Sequence, residues 1–342
     1  MTNSKLTNAI KAIARGEELG DADLEGAFDA MLAGDALPEE IGALLMGLAV
    51  RGETEAELLA GARAMRSASR KLDVAGPVLD TCGTGGLPWT SLNTSTAAAI
   101  VIAAAGGRVA KHGNRSVPPK TGSADVLEAL GVNIDISEET FHACLEGAGV
   151  AFMFARSHHA AAAHVAPVRK QLGIRTIFNL LGPLTNPAGA QHQILGVSQP
   201  HWVLPMAQTL AKLGTTHSWV VHGADGIDEI SISGTTHIAE IKGDTVRQFD
   251  ITPETFDLPT HALTALAGGA PKDNAAAITA LLDGQSGAFR DIVTLNAAAG
   301  LHIFGNATDL QTGISMAQTA IDSGKAKATL SALAALSNGQ MS

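Results

Sequence analysis

The sequence is poor in cysteine and in long apolar runs, and each shortage excludes a class of protein. Cys82 and Cys144 are the only cysteines among 342 residues, and their spacing fits no metal or redox motif. The N-terminal stretch MTNSKLTNAIKAIARGEELG lacks the apolar core of a signal peptide, so we expect a reducing, cytoplasmic location. The most apolar stretch, 97–105, is shorter than the roughly 20 residues that span a bilayer. No membrane segment is therefore expected.

Positive charge is also scarce. The formal net charge is -10, only 16% of the residues are charged, and no basic run stands out. Such a chain repels phosphate backbones and anionic membrane surfaces, so we expect neither as a partner. The hydrophobic fraction is 46%, and much of it is Ala, Val, Ile and Leu. That composition is typical of a parallel sheet covered by helices.

The length predicts more than one domain, because single cores stop growing at roughly 250–300 residues. Residues 1–72 carry helical signals alone: Pro38 is placed as a first-turn proline, and TEAE at 54–57 matches a capping box. From residue 73 to 342, short β-rich runs alternate with helical segments. This alternation predicts an α/β domain around a mostly parallel sheet.

Two further segments are helical by pattern. The stretch 164–186 interrupts the α/β alternation, and we expect it to join the N-terminal helical domain. The C-terminal stretch 313–336 is predicted to form one amphipathic helix.

The stretch DTCGTGGLPWTSLNTST, 80–96, places a glycine cluster and hydroxyl side chains between a predicted strand and an alanine-rich helix. It fits no dinucleotide fingerprint, because the third glycine position is Pro88. A phosphate-binding P-loop fails as well, since Pro119 stands where a glycine must precede Lys120. Exposed backbone amides and a helix N-terminus with the side chains of 93–96 would still bind an anion. The alternative is a tight turn with an ordinary helix cap.

The stretch KHGNRSVPPKTGSAD, 111–125, is a local concentration of positive charge in an acidic chain. No acid precedes Asp125, and amide and hydroxyl side chains lie between the basic ones, which suits phosphate oxygens. The alternative is a solvated charged loop. Four basic side chains lie within ten residues: Lys111, His112, Arg115 and Lys120.

The stretch HGADGIDEIS follows the strand-like run SWVV and carries Asp225, Asp228 and Glu229. Carboxylates on a loop at the end of a strand suit Mg²⁺, which takes one or two protein carboxylates together with substrate phosphates. Acidic turns with Asp-Gly are also common on protein surfaces, so this pattern alone is weak.

The stretch FARSHHAAAAHVAPVRKQLGIRT concentrates histidine and arginine. A zinc site is a poor interpretation, because no H-E-x-x-H motif or cysteine pair accompanies the histidines. An arginine in a cleft would suit the carboxylate of a substrate. The residues are His158, His159, His164, Arg169 and Arg175.

Six stretches together resemble the anthranilate phosphoribosyltransferases of tryptophan biosynthesis: DTCGTGG, NTSTAAA, KHGNRSV, GSADVLEALGV, HVAPVRKQLGIRTIFNLLGPLTNPAGA and DGIDEIS. The resemblance runs in order from about Leu24 to the C-terminal helix. It implies a fold of the nucleoside phosphorylase and phosphoribosyltransferase type, and a homodimer formed through the helical domain. It also implies Mg²⁺-dependent transfer of phosphoribose from 5-phosphoribosyl 1-pyrophosphate to the amine of anthranilate. The alternatives are a nucleoside phosphorylase-like enzyme and a non-enzymatic nucleic-acid-binding paralogue.

The resemblance also assigns site residues by position. It places no nucleophile or general base, and Lys111 and His112 would act by positioning and charge. The donor site would comprise Gly83, Gly86, Leu87, Ser91, Asn93, Thr94, Ser95, Thr96, Lys111, His112, Gly113, Asn114, Arg115, Ser116, Val117, Pro118, Pro119 and Ser123. Anthranilate would contact Gly83, Asn114 and Arg169, with the arginine on its carboxylate. The metal ligands would be Ser95, Asp228 and Glu229.

The chain departs from the family pattern in two places. An acid followed by glycine usually comes after the GTGG run, where this chain has Leu87 and Pro88. Small flexible residues usually stand where this chain has Pro118 and Pro119. The first departure concerns the number of Mg²⁺ ions, and the second concerns closure of the loop over substrate.

Overall fold

The structure is a computed structural model that describes residues 4–116 and 121–340, apart from the side chain of Asp21. Val117, Pro118, Pro119 and Lys120, which the sequence placed in the phosphate-binding loop, lie outside the described residues. The helices are α1 (Ser4–Ala14), α2 (Asp21–Ala33), α3 (Pro38–Arg51), α4 (Glu55–Ala68), α5 (Thr94–Ala104), α6 (Ser123–Ala129), α7 (Glu138–Ala148), α8 (Ala155–His158), α9 (Ala166–Leu172), α10 (Phe178–Leu181), α11 (Val203–Lys212), α12 (Pro271–Leu282), α13 (Ala288–Phe304), α14 (Leu310–Asp322) and α15 (Lys325–Ser337). The strands are β1 (Leu79–Gly83), β2 (Val109–Gly113), β3 (Val150–Phe154), β4 (His192–Gly196), β5 (His217–Gly223), β6 (Thr236–Lys242) and β7 (Thr245–Ile251).

Helices α3 and α4 begin where the sequence predicts. Pro38 occupies the first turn of α3. At α4 the hydroxyl of Thr54 accepts from the Glu57 amide at 3.3 Å, while the Glu57 carboxylate accepts from the Thr54 amide at 2.8 Å. This reciprocal capping box satisfies two amide groups that the helix itself leaves unpaired.

The segment after β3 packs on these helices. Val165, Val168 and Phe178 share one hydrophobic cluster with residues of α1 to α4, such as Phe28. The rings of Phe28 and Phe178 meet edge to face at 6.4 Å. The same cluster continues to α11 and to one face of the sheet, so the helical part is anchored to the α/β part. The domain boundaries at 72–73 and the assignment of 164–186 to the helical domain remain predictions.

The central sheet has seven strands in the order β3-β2-β1-β4-β5-β6-β7. The first five are parallel, and β6 and β7 are antiparallel. The parallel strands are short and buried, as expected when helices cover both faces of a sheet. This confirms the predicted α/β class with a mostly parallel sheet and a helical N-terminal part.

The prediction of one C-terminal helix over 313–336 is wrong. The chain instead forms α14 and α15, which are separated at Ser323 and Gly324. Gly324 has φ 75°, a left-handed conformation that glycine adopts at no steric cost. The run 322–325, which contains no apolar side chain, marks the break in the sequence, but a glycine within a helical pattern does not by itself predict an end.

No described helix combines the length and the apolar character that crossing a bilayer requires.

Candidate active site

Three of the four stretches singled out in the sequence meet at one edge of the sheet. β1, β2, β4 and β5 are parallel, so the loops that follow them lie at the same edge. Asp228, in the loop after β5, accepts a hydrogen bond from the Gly85 amide at 2.9 Å. Glu229 accepts from the Ser95 amide at 3.1 Å, in the first turn of α5. The acidic loop therefore closes against the glycine-rich loop and the N-terminus of α5.

Glycine is required where the acidic loop crosses the strand ends. Gly83 of β1 and Gly196 of β4 are paired in register. A Cβ on Gly83 would lie 2.6 Å from Oδ2 of Asp228, and one on Gly196 would lie 1.7 Å from the Asp228 carbonyl oxygen. Both positions are closer than a real Cβ contact allows. The missing side chains thus let the Asp228 carboxylate reach the Gly85 amide.

We expect Gly83→Ala to disturb metal binding more than folding. The added methyl group would displace the Asp228 carboxylate, and a typical single-substitution effect of about 1 kcal/mol corresponds to a roughly fivefold rise in the Mg²⁺ concentration that gives half-maximal activity. A Mg²⁺ titration of activity checks this. Gly234→Ala is the control, because a Cβ there meets no atom within 4 Å. Identical titration curves for Gly83→Ala and the unchanged chain would contradict the prediction.

Lys111 is a buried cation directly beneath these loops, with 3% of its surface exposed. Its Nζ donates to the Thr81 carbonyl oxygen and, at 3.4 Å, to Oγ of Ser95. Burial lowers the pKa of the Lys111 ammonium, and the nearby carboxylates of Asp80 and Glu229 oppose that effect. The two carboxylates and the two hydrogen bonds therefore hold the ammonium in place beside the site.

Asp80 fixes the strand that carries Lys111 and His112. Its fully buried carboxylate accepts from the His112 amide at 3.1 Å and from the Asn186 side chain at 2.8 Å. Burial raises the pKa of Asp80, while the Lys111 charge and the Asn186 hydrogen bond work in the opposite direction. Asp80 and Asn186 thus act as positioning residues behind the site.

Asp228 and Glu229 form a buried acidic pair that the nearby cations Arg175 and Lys111 offset only in part. Burial raises the pKa of Asp228. The pKa of Glu229 is raised by burial and by repulsion from Asp228, against the attraction of Lys111. A hard divalent cation, which prefers oxygen ligands, would offset this repulsion. Ser95, whose backbone amide donates to Glu229, could supply its Oγ as a further oxygen ligand. The side chains present therefore fit a Mg²⁺ site at Ser95, Asp228 and Glu229.

His112 is buried beside His159, with the two rings 5.1 Å apart and edge to face. Burial lowers the pKa of His112 to about 3 and that of His159 to about 4, so both imidazoles are neutral at pH 7. Nε2 of each is buried without a hydrogen-bond partner among the described residues. Two neutral ring nitrogens thus remain for a ligand.

The segment that packs on the helical part carries two neighbouring arginines, and Arg175 contacts the glycine-rich loop. Arg169 lies over the Phe178 ring at 5.4 Å, and its Nη2 is 3.4 Å from Oδ1 of Asn179. Arg175 donates to the carbonyl oxygen of Thr84 at 3.0 Å, within the glycine-rich loop. Neither forms an ion pair with a described carboxylate. Burial and the charge of Arg175 lower the pKa of Arg169.

Other predicted donor residues of the first loop lie around the same turn but differ in exposure. Gly83 and Gly86 are exposed, whereas Thr94 and Thr96 are buried, and Oγ1 of Thr96 has no partner among the described residues. Leu87 is 8% exposed and belongs to the main hydrophobic core. Its side chain therefore contributes packing, in a place where the family usually carries an acid.

Ser91 and Asn93 are tied to a neighbouring loop. Ser91 forms an isolated bridge with Ala267, and the Asn274 side chain donates to the Ser91 carbonyl oxygen at 3.0 Å. Asn274 also donates to Oδ1 of Asn93 at 2.8 Å, while the Asn93 amide donates to the Thr121 carbonyl oxygen at 3.1 Å. The side chain of Asn93 thus links the first loop to the second, and both its nitrogen and its oxygen already have hydrogen-bond partners.

The second loop is less cationic than the sequence indicated. Arg115 pairs with Asp125 at 3.0 Å and with Glu128, and its guanidinium lies over the Phe154 ring. Asp125 also accepts from the amides of Ser116 and Gly122, which closes the described ends of the loop. Gly113 ends β2, Asn114 and Ser116 follow it beside Arg115, and Ser123 begins α6. The two carboxylates, Asp125 and Glu128, come from α6, and phosphate binding by this loop remains a prediction.

Sequence reasoning missed several residues that hold the site together. Asp80 carried a signal, since an acid within a buried strand needs a partner. Asn186 and Asn274 gave none, because an asparagine among turn residues usually indicates a turn. Arg175 was noted as a cleft candidate without a role, and its contact with Thr84 depends on tertiary packing.

Comparison with known proteins matches both parts of the chain. The profile of the glycosyl transferase family, helical bundle domain, matches residues 7–69, and that of the glycosyl transferase family, a/b domain, matches residues 75–327. An anthranilate phosphoribosyltransferase of Hyphomonas neptunium is 63% identical, over 97% of this chain and 98% of that protein. Together the fold and the site define a glycosyl transferase with a helical bundle and an α/β domain.

Solved structures narrow the class further. The anthranilate phosphoribosyltransferase of Thermus thermophilus is 43% identical with a TM-score of 0.90, covering 96% of this chain and 99% of that one. The Saccharomyces cerevisiae enzyme in complex with PRPP and Mg is 26% identical with a TM-score of 0.89, covering 99% of both chains. The chain belongs to the anthranilate phosphoribosyltransferase family.

Proposed function

We propose that this chain transfers the phosphoribosyl group of 5-phosphoribosyl 1-pyrophosphate to the amine of anthranilate in tryptophan biosynthesis. The products are N-(5-phosphoribosyl)anthranilate and pyrophosphate. One observation carries the proposal: the acidic pair Asp228 and Glu229 meets the glycine-rich loop and the N-terminus of α5. A site with anion-binding amides and carboxylates for a cation suits a donor that is a metal-bound pyrophosphate.

The donor would lie against the glycine-rich loop. The exposed backbone at Gly83, Gly85 and Gly86 allows close approach, and the dipole of α5 favours negative charge at its first turn. Mg²⁺, held by Ser95, Asp228 and Glu229, would neutralise charge on the pyrophosphate. Lys111 adds a fixed positive charge from below. Because these groups are already held in place, they stabilise the departing charge with little rearrangement.

The acceptor would lie between the glycine-rich loop and the arginines. Arg169 presents a guanidinium without an acidic partner among the described residues, which suits the carboxylate of anthranilate. Asn114 and the Gly83 backbone are assigned to the same ligand. Nε2 of His112, which has no hydrogen-bond partner among the described residues, would hydrogen-bond it as a neutral group. Aromatic amines are largely neutral at pH 7, so the residues need only orient the amine and keep water out.

An assay of anthranilate fluorescence tests the function. Fluorescence should fall only when 5-phosphoribosyl 1-pyrophosphate and Mg²⁺ are both present, and pyrophosphate should appear in equal amount. Nucleosides with phosphate serve as the control substrates for a phosphorylase. Phosphorolysis without loss of anthranilate fluorescence would overturn the proposal.

The proposal includes a homodimer formed through the helical part and a cytoplasmic location. Apolar side chains on α3 support the dimer: Met46 is 40% exposed and Val50 is 79% exposed, four residues apart on one face. The location is supported by the free thiols of Cys82 and Cys144.

We expect the double variant Met46→Glu and Val50→Glu to be monomeric, because four glutamates, two from each protomer, would be buried in a symmetric interface. Sedimentation velocity at several protein concentrations measures this. Gln311→Glu with Ser315→Glu is the control, since it adds the same charges at the same spacing on the exposed face of α14. If both variants sediment like the unchanged chain, the interface lies elsewhere.

A further inference from the structure

A second group of ligand-type side chains lies at the opposite edge of the sheet. His217 begins β5, Glu240 lies near the end of the neighbouring β6, and His302 lies in the last turn of α13. One ligand atom from each lies within 4.8 Å of the others, and no other group of His, Cys, Asp and Glu in the described part of the chain does this. Since Asp228 follows the far end of β5, the two sites are separated by roughly 20 Å, the length of that strand.

The hydrogen bonds of His302 direct it toward the group. Its Nδ1 lies 3.3 Å from the carbonyl oxygen of Ala307, which can only accept, so Nδ1 carries the proton. In the neutral ring Nε2 then keeps its lone pair. A ring nitrogen that donates to a backbone carbonyl while the other nitrogen faces a cluster is the usual arrangement of a metal-binding histidine.

Glu240 is a fixed, ionised carboxylate. It is buried, and its Oε1 accepts from Nε2 of His217 at 2.7 Å and from Nε1 of Trp219 at 3.0 Å, while Arg247 binds Oε2. Burial would raise the pKa of Glu240, but the hydrogen bonds from His217, Trp219 and Arg247 outweigh it and lower the pKa to about 2. Trp219 and Arg247 thus orient the carboxylate from outside the group.

We propose that His217, Glu240 and His302 form a binding site for a zinc-like divalent transition ion. Two imidazoles and one carboxylate are the donor set of several zinc sites, and the nitrogen ligands favour such ions over Mg²⁺. His217 and His302 are half-buried, so an ion has access from solvent. For the ion to bind, Nε2 of His217 must give up the proton that it donates to Glu240; in the neutral ring that proton moves to Nδ1, which leaves the Nε2 lone pair for the ion.

Titration with Co²⁺ tests the site, because Co²⁺ bound by nitrogen and oxygen ligands in low coordination absorbs visible light. The full chain should bind one equivalent with visible bands, and Zn²⁺ should displace it and remove them. The double variant Asp228→Asn with Glu229→Gln should keep the bands, since it alters only the other site. His302→Phe, which keeps the ring packed against His217 and Trp219, should lose them.

One control variant and one further ligand variant complete the test. His237→Ala should retain the bands, because His237 pairs with Asp250 at 2.9 Å on the same sheet and belongs to no three-residue group. Glu240→Gln should lose them, and circular dichroism reports whether each variant is folded; His302→Ala repeats the test if the phenylalanine does not fold. The proposal fails if the unchanged chain shows no visible bands, if His302→Phe keeps them, or if the Asp228 and Glu229 variant loses them.

Discussion

Replacing Asp228 by Asn and Glu229 by Gln is expected to remove Mg²⁺-dependent activity while the chain stays folded. The two carboxylates are the acidic pair that touches both the glycine-rich loop and α5, and no other described carboxylate contacts that turn. Losing both oxygen anions removes the charge that would hold the cation. Because metal ions contribute several kcal/mol of charge stabilisation, the rate should fall by roughly a thousandfold or more.

The same double variant should also change the stability of the folded chain, which distinguishes a loss of metal binding from a loss of folding. The pKa values of Asp228 and Glu229 are raised in the folded chain, so without metal the folded state loses stability as pH rises through those pKa values. The neutral amides remove this loss. The variant without Mg²⁺ should therefore melt at the same temperature as the unchanged chain, or higher, at pH 8.

The measurements are the rate against Mg²⁺ concentration and the melting temperature with and without Mg²⁺. Asp225→Asn is the matched control, because Asp225 lies in the same loop but binds Ser231 and the Ile227 amide instead. That variant should keep its Mg²⁺ response. Full activity in the double variant, with an unchanged circular dichroism spectrum, would show that the metal is held elsewhere.

The parts of the fold that depend on local sequence were predictable. The capping box at Thr54, the alternation that gives the sheet, and the strand-to-helix turn at Gly83 follow from neighbouring residues. The break at Gly324 was not predicted, although residues 322–325 contain no apolar side chain. A glycine in a helical pattern is tolerated often enough that it does not by itself predict an end.

The residues of the candidate site also divide into those that the local sequence indicates and those whose contacts depend on tertiary packing. Asp228 and Glu229 were singled out because carboxylates on a loop at the end of a strand suit Mg²⁺, and the resemblance to the family then strengthened a pattern that is weak alone. The pairing of Arg115 was not predicted, because its partners Asp125 and Glu128 reach it only once α6 forms. The burial of Lys111 and its neighbour Asp80 depends on the sheet, so the sequence shows the charges but not their pairing.

The family pattern explains the position of Leu87 only in part. An acid usually stands there, and in this chain the leucine packs into the core. The sequence predicts weaker dependence on a second Mg²⁺, since a carboxylate there would need a cation beside the pyrophosphate. In the structure the same position is filled by apolar packing, which a carboxylate would lose.

Arg169→Ala is expected to weaken anthranilate binding with little effect on the phosphoribosyl donor. A hydrogen-bonded pair between charged groups contributes roughly 1.5–3 kcal/mol, so the KM for anthranilate should rise by roughly ten- to hundredfold. Arg169 is held over Phe178 and beside Asn179, with no acidic partner among the described residues, so the guanidinium remains for a ligand. The anthranilate KM of Arg169→Lys should lie between those of the unchanged chain and of Arg169→Ala, because lysine keeps the positive charge but cannot make the paired hydrogen bonds of arginine.

Steady-state kinetics with each substrate varied in turn decide the assignment. Arg156→Ala is the control, since Arg156 is an exposed arginine in the same region of the chain. Only the anthranilate KM should change in Arg169→Ala, and neither KM should change in Arg156→Ala. A rise mainly in the KM for 5-phosphoribosyl 1-pyrophosphate would instead assign Arg169 to the phosphate site. Arg175, which donates to the Thr84 carbonyl oxygen, would then be its neighbour in that site. The carboxylate of anthranilate would then need another cation, and Lys111 could not supply it, because its ammonium is buried against Thr81 and Ser95.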